Sequence, residues 1–162
     1  MPNNQIKKKD LLVTERDKVL DIEKALIQNA DGENIVTTHD TDAFPLKHIF
    51  ADGVYVRQMY MAKGTVVIGA IQNHLHVWYL LTGNIVAATE DGIVDYKAPC
   101  YVVAQPGTKR VIHAVEDSIF INIHKNPTNT QDLDELEKQI VSSSYEEYEK
   151  YVNNKNNIIW AG

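Results

Sequence analysis

The sequence contains a single cysteine, Cys100, so no disulfide can form within the chain. No apolar run approaches the roughly 18 residues that a membrane-spanning helix needs, which predicts a protein without a membrane partner. Basic residues are outnumbered: 16 lysines and arginines against 22 acidic residues give a formal net charge of -6. Because phosphate backbones attract cationic surfaces, this balance argues against a nucleic acid polymer as partner. Together these absences lead us to expect a cytoplasmic protein.

Short catalytic motifs are also missing. The chain has no GxSxG elbow, no glycine-rich phosphate loop that opens a helix, no HExxH and no CxxC pair. What is present is a chain of 162 residues, 44% of them hydrophobic, which is long enough for one domain with a core of its own.

The chain divides by hydrophobic periodicity into three parts that together form one domain. Residues 1–34 predict a tail, which includes the "KKK" run, and then an amphipathic helix over 14–29 that Thr14 caps. Residues 35–125 predict seven or eight short strands separated by turn signals such as "DG", "KG" and "EDG", a pattern typical of an antiparallel sandwich or barrel.

The last part, residues 126–162, predicts two amphipathic helices and a tail. The segment "QDLDELEKQIV" places its aliphatic residues on one face and its acids in the first turn, where the helix dipole favours them. The segment "SYEEYEKYV" begins with Ser144 and Glu147 at capping-box spacing. We expect these helices to pack on the outside of the barrel or on a partner, and the Asn-rich "NNKNN" to form a flexible tail.

The order of motifs between Gly53 and His124 resembles the cupin family of RmlC-like jelly rolls. It runs from "AKGTVV" through a histidine-rich turn, a strand closed by "LTGNI" and an "EDG" hairpin to "QPGTKRVIHAVED". The resemblance is greatest to small single-domain cupins encoded by bacteriophages. It implies an all-β antiparallel jelly-roll barrel with an N-terminal helix and C-terminal amphipathic helices, and a small-ligand or metal pocket inside the barrel.

The resemblance also implies where the usual metal ligands of the family would lie. Alignment on Gly64 and Gly83 places Ala70 and Gln72 at the paired histidines of the first motif and His76 at its glutamate. Alignment of the second motif on Gly107 places Arg110 at the fourth ligand. A permanently charged guanidinium repels a dication and favours an anion.

Two functions therefore remain open. In the first, the barrel is a binding protein for a small, anionic or ring-containing ligand, with the polar contacts Gln72, His74, His76 and Arg110 and with Trp78 available for stacking. Capture of a host metabolite or nucleotide signal would suit a phage-encoded protein in the host cytoplasm. This use is an analogy with the family and not a derivation.

In the second function, a slip in the loop makes His74 and His76 metal ligands, with His113 or His124 as the third. Neutral imidazoles suit Zn, Cu, Fe or Ni, and three of them with an open fourth position would make a catalytic site. The protein would then be a metal-dependent isomerase, lyase or dioxygenase with one divalent metal as cofactor, Zn, Fe, Mn or Ni. Strand alternation places Arg110 and His113 on opposite faces, so both cannot line one pocket.

Simpler interpretations accompany each of these residues. His76 can be a hydrogen-bonded core histidine, and His74 a turn residue at the surface. Arg110 can pair with Glu116 or Asp117 at the barrel mouth, and Lys109 is expected to be exposed. Cys100 is interpreted as a buried structural thiol. We expect a homodimer, because cupins commonly pair through their sheets.

Overall fold

The computed structural model describes residues 8–28, 35–37 and 45–159, with side chains over 15–28 and 45–156. The side chain of the predicted cap, Thr14, therefore lies outside the described side chains. The elements follow the chain in this order: α1 Lys8–Gln28, β1 Ile35–Thr37, β2 Leu46–Ala51, β3 Val54–Met61, β4 Val66–Ile68, β5 Ile71–Gln72, β6 His76–Thr82, β7 Asn84–Thr89, β8 Gly92–Lys97, β9 Cys100–Ala104, β10 Val111–Ala114, β11 Ser118–Lys125, α2 Leu133–Ile140, β12 Val141–Ser142 and α3 Tyr145–Ile159.

The strands form two five-stranded sheets and one small pair. One sheet has the order β1-β4-β10-β7-β8 and the other β2-β3-β11-β6-β9, while β12 pairs with β5. All pairings are antiparallel except that of β1 with β4. This arrangement is a cupin-type jelly roll, as predicted. The strand number exceeds the expected seven or eight because pairings of two or three residues are too short for sequence periodicity to reveal.

The core fills the space between the two large sheets. Its buried side chains alternate along the strands, as in the inward positions Trp78 and Leu80 of β6 and Phe120 of β11. The ring centroids of Trp78 and Phe120 are 5.0 Å apart. Cys100 is half-buried and packs against this cluster, so the predicted structural thiol lies at the core's edge.

A tight turn before β7 fixes the relation of the two sheets. Gly83 has φ +87°, and a Cβ at this position would clash with the Oγ of Ser118 and the carbonyl oxygen of Asp117. Gly83, which was aligned with the strand-ending glycine of the first motif, therefore lies at a position where no side chain fits.

The terminal helices pack together on the outside of the barrel. Arg16 of α1 lies 3.1 Å from the carboxylate of Glu149 in α3 and stacks over the Tyr145 ring. Tyr145 in turn donates a 2.6 Å hydrogen bond to Glu90 in the β7–β8 turn. This agrees with the expectation that the helices pack on the outside of the barrel.

Three details of the sequence prediction are wrong. Helix α1 begins at Lys8 rather than at Thr14, because lysine and leucine favour the helix and nothing in the run interrupts it. The "NNKNN" segment continues α3 to Ile159 instead of forming a tail. Lys109 is buried, with its Nζ 2.9 Å from the Glu23 carboxylate in α1.

The outer face of the second sheet, β2-β3-β11-β6-β9, exposes four large hydrophobic side chains: Tyr79, Leu81, Tyr101 and Val103. The predicted homodimer stays a prediction, which light scattering of the purified protein would test. Among the described residues, no helix combines the length and the apolar character needed to cross a bilayer.

Candidate functional site

A cavity of about 50 Å³ lies inside the open end of the barrel. Its walls come from both large sheets and from α2, and they combine apolar and polar groups. The lining side chains are Arg57, Met59, Val67, Ala70, Gln72, Arg110, Ile112, Phe120, Asn122, His124, Glu137, Ile140 and Val141.

Strand alternation delivers the polar side chains to this cavity. On β11 the inward positions run Phe120, Asn122 and His124, from the apolar core toward the open end. Arg57 of β3 pairs with Asn122 in the sheet register, so the two polar groups lie side by side. The cavity is therefore the polar continuation of the core.

Helix α2 covers the open end. The carboxylate of Asp132 caps its start by accepting from the backbone N–H groups of Asp134 and Glu135, at 3.0 and 3.2 Å. At its other end the Ile140 carbonyl accepts a 2.9 Å bond from the Asn73 N–H, and Val141 pairs with Gln72 across the β12–β5 ladder. The helix is thus fastened to the strand that supplies Gln72.

Arg110 is the most unusual group of the site. It lies directly before β10 and is 6% exposed, although its guanidinium is charged. Gly69 allows the close approach of backbone here, since its N–H donates to the Arg110 carbonyl at 2.8 Å and a Cβ would lie 3.0 Å from that oxygen. No ion pair of the described residues includes Arg110. The predicted alternative, pairing with an acid at the barrel mouth, is therefore not what the structure shows.

The guanidinium instead donates to a neutral imidazole. Arg110 Nη2 lies 3.2 Å from His76 Nε2 and the Arg110 guanidinium carbon 5.9 Å from the centre of the Trp78 ring. Because an arginine can only donate, Nε2 of His76 must be the acceptor and Nδ1 must hold the proton. That Nδ1 lies 3.4 Å from the carbonyl oxygen of His74, which accepts the proton's hydrogen bond.

The three predicted histidines lie together. His124 Nδ1 is 3.4 Å from His74 Nε2, and the rings of His76 and His124 stack with their centroids 4.8 Å apart. His74 is 6% exposed, so it is not the surface turn residue of the simpler interpretation. His113 is exposed and outside the group.

Burial keeps these imidazoles neutral. It lowers the pKa of His74 and of His76 to about 4 and the pKa of His124 to about 2. Nearby charge adds to the effect, from Lys125 on the pKa of His74 and from Arg110 on the pKa of His76. Burial also lowers the pKa of Arg110, to about 10, which leaves the guanidinium charged at neutral pH. The site therefore buries the Arg110 cation against neutral rings, and its lining also includes the charged side chains Arg57 and Glu137.

Two amide oxygens of the cavity wall are left without partners. Gln72 Oε1 and Asn122 Oδ1 are buried and have no hydrogen-bond partner among the described residues. An unpaired buried polar atom is unfavourable by about 1–3 kcal/mol, so groups of this kind are normally satisfied by a ligand or water. A ligand could satisfy either oxygen only with a hydrogen-bond donor, since an amide carbonyl oxygen can only accept.

The histidines do not fit a metal ion as arranged. The His76 nitrogen that could bind a metal already accepts from Arg110, whose positive charge opposes a dication. The rings of His76 and His124 are stacked at 23°, so their in-plane lone pairs do not converge on one point. Within the described part of the chain, no group of three or more His, Cys, Asp or Glu side chains is arranged to hold a metal ion.

The sequence-predicted site residues separate into three places. Gln72, Arg110 and His124 line the cavity, while His76 stands behind Arg110. Trp78 belongs to the apolar core, and His74 faces a second cleft outside the barrel. The sequence interpretation missed Arg57, Asn122 and Glu137. For Asn122 a signal existed, because it lies two residues before His124 in an alternating strand.

No family model matches the sequence, and no curated protein matches it. Solved structures with a similar fold include a cupin 2 conserved barrel domain protein from Salinispora arenicola, 13% identical, with a TM-score of 0.46 over 54% of this chain and 79% of that one. Another is an RmlC-like cupin with a double-stranded β-helix from Methanocaldococcus jannaschii, 16% identical, with a TM-score of 0.46 over 56% and 88% of the two chains.

The EutQ protein of Clostridium difficile is also similar, at 15% identity and a TM-score of 0.46 over 60% of this chain and 79% of that one. At such identities the likeness concerns the fold alone. The two mainly antiparallel sheets agree with the jelly-roll barrel predicted from the motif order, whereas the resemblance to phage-encoded members stays a prediction.

Proposed function

We propose that the protein binds a small organic anion in the barrel cavity, with Arg110 as the group that holds the negative charge. The observation behind this proposal is a buried guanidinium beside a cavity, hydrogen-bonded to a neutral imidazole instead of a carboxylate. Desolvation of an unpaired charge is unfavourable, and an anionic ligand would offset it with a charge-assisted hydrogen bond.

The two amide oxygens without partners limit the class of ligand to compounds that also carry a hydrogen-bond donor. A compound that carries a hydroxyl or amino donor beside its carboxylate would satisfy Gln72 Oε1 or Asn122 Oδ1 while its anion meets Arg110. The cavity of about 50 Å³ has room for a small hydroxy acid and not for a nucleotide. We therefore favour a short hydroxy- or amino-carboxylate over the nucleotide signal considered from the sequence.

Isothermal titration with glycolate and acetate tests this proposal. Glycolate, which adds a hydroxyl donor to the carboxylate, should bind more tightly than acetate. The Arg110→Met variant should lose about 10- to 100-fold in glycolate affinity, the value of one hydrogen bond to a charged group. Arg16→Met is the matched control, because Arg16 pairs at the surface with Glu149 and lies outside the cavity.

Wild-type affinity for glycolate in a folded Arg110→Met protein would contradict the proposal. Circular dichroism and urea unfolding of each variant establish that it is folded. Equal affinity for glycolate and acetate would remove the role given to the amide oxygens.

Metal analysis of the same samples tests the enzyme alternative, which would use Zn, Fe, Mn or Ni bound to His74, His76 and His124. We expect substoichiometric metal after purification without chelator, because Arg110 occupies the His76 nitrogen. One metal per chain, lost in His76→Ala, would favour the metal-dependent isomerase, lyase or dioxygenase instead.

A further inference from the structure

A second, larger cleft lies outside the barrel, between the end of β11, α2 and α3. Its volume is about 480 Å³. No side chain that lines this cleft also lines the barrel cavity. Three lysines line it, one from each element: Lys125 at the end of β11, Lys138 on α2 and Lys155 on α3. These residues are far apart in sequence, so only the fold brings their charges together.

The charge of this cleft contrasts with that of the whole chain. Its lining has one carboxylate, Glu135, which leaves a local excess of positive charge in a protein of net charge -6. Both oxygens of Glu135 are engaged, one by the Thr130 hydroxyl at 2.8 Å and the other by the Gln139 amide at 3.2 Å. Each oxygen thus accepts a hydrogen bond from a neutral group, and none of the ion pairs among the described residues joins Glu135 to a lysine.

The floor and wall of the cleft have features of a binding site. His74 forms part of its lining and is 6% exposed. Lys125 and Lys155 line the same cleft as His74, and their charges both lower the pKa of its imidazole. Tyr151 of α3 is half-buried and adds an aromatic wall.

We propose that this cleft is a separate anion-binding site for a free, small phosphorylated compound, held by Lys125, Lys138 and Lys155. Lysine ammonium groups bind phosphate as mobile point charges, and three of them around one cleft match a group with two or more negative charges. The cleft is large enough for a phosphorylated metabolite, which the barrel cavity is not. The inference does not depend on the barrel ligand proposed above.

Titration with inorganic pyrophosphate, in a chelator-containing buffer without divalent cations, tests the proposal by calorimetry and by two-dimensional NMR. The wild-type protein should bind one pyrophosphate, with shifts centred on the amides of Gln139, Tyr151 and Asn154. Affinity should fall as salt is raised, because exposed charges are screened. The Lys125→Gln/Lys155→Gln variant should bind at least about tenfold more weakly.

The matched control is Lys63→Gln/Lys97→Gln, which removes the same charge from exposed lysines outside the cleft. It should stay within about twofold of the wild-type affinity. Absence of saturable binding in the wild-type protein, or equal weakening in both double variants, would overturn the proposal. Loss of pyrophosphate binding in Arg110→Met but not in the cleft variant would place the anion in the barrel and would also overturn it.

Discussion

The two ends of the barrel interior are built from the same strands but have opposite chemistry. At the closed end, β6 and β11 contribute Leu80, Trp78 and Phe120, all at most 2% exposed. At the open end, the next inward positions of the same strands are His76, Asn122 and His124, joined by Arg110. A step of two residues along a strand thus separates core from candidate site.

This difference indicates where stability and function are located. Burial of the large apolar side chains stabilises the fold. The polar end works against it, since it buries a cation, three rings held neutral and two amide oxygens without partners. Groups kept buried at such a disadvantage are typical of binding sites.

Acid should affect the polar end most strongly. The pKa values of the three histidines are lowered in the folded state below 6.5, so the unfolded chain binds protons first as pH falls. Stability is then fully present above pH 6.5 and is lost as pH falls toward 4. For each histidine that stays neutral in the folded state, lowering the pH by one unit in this window should reduce the free energy of unfolding by about 1.4 kcal/mol. Urea unfolding at a series of pH values should therefore show uptake of two to three protons.

The control for the acid experiment is the exposed His113. His113→Gln should leave the pH dependence unchanged, whereas His124→Leu should remove about one proton from it. A stability that is flat between pH 6.5 and 4.5 would show that the histidines are accessible to protons in the folded state.

Truncation should affect the apolar end most strongly. Phe120→Ala removes a fully buried ring that stacks on Trp78 and should lower the free energy of unfolding by about 3–5 kcal/mol. Urea denaturation at pH 7.5 measures the effect. Ile93→Ala, at a 71% exposed position of β8, should change it by less than about 0.5 kcal/mol. Similar losses at both positions would contradict the assignment of the core.

The smallest effect concerns the helix that covers the polar end. Asp132→Ala removes the N-cap of α2 and should lower stability by about 1 kcal/mol, with faster hydrogen exchange of the α2 amides. Asp134→Ala, which removes an exposed acid in the same turn, should lower it by a few tenths of a kcal/mol. Unchanged exchange in Asp132→Ala would mean that the β12–β5 ladder alone holds the helix.

The fold was predictable because its signals are local. Alternation of apolar residues and the turns at "DG" and "EDG" identify the hairpins β2–β3 and β7–β8, and the acidic first turn identifies α2. The short pairings of β1, β4, β5 and β12 were not predictable, since two or three residues show no period. Helix α1 was predicted too short because a capping residue such as Thr14 also occurs inside helices.

The site was predictable only in part. Parity along the strands separated Arg110 from His113, and in the structure Arg110 lines the cavity while His113 is exposed. His124 was named only as a possible third metal ligand, and parity did not identify it. Strand alternation shows which face a residue lies on but not how far along the barrel axis it lies. It therefore could not show that Trp78 belongs to the apolar core and not to the cavity, because that position depends on the register with neighbouring strands. The roles of Arg57 and Glu137 and the lysine cleft depend on contacts between distant segments, for which a single sequence has no signal.

Gly83 has a consequence for the ancestry of this protein. Every other amino acid would place a Cβ against Ser118 and Asp117, so no point mutation of this codon that changes the residue leaves the turn intact. Descendants of the same gene are thus expected to share a glycine here even where the ligand, the histidines and the lysine cleft have diverged.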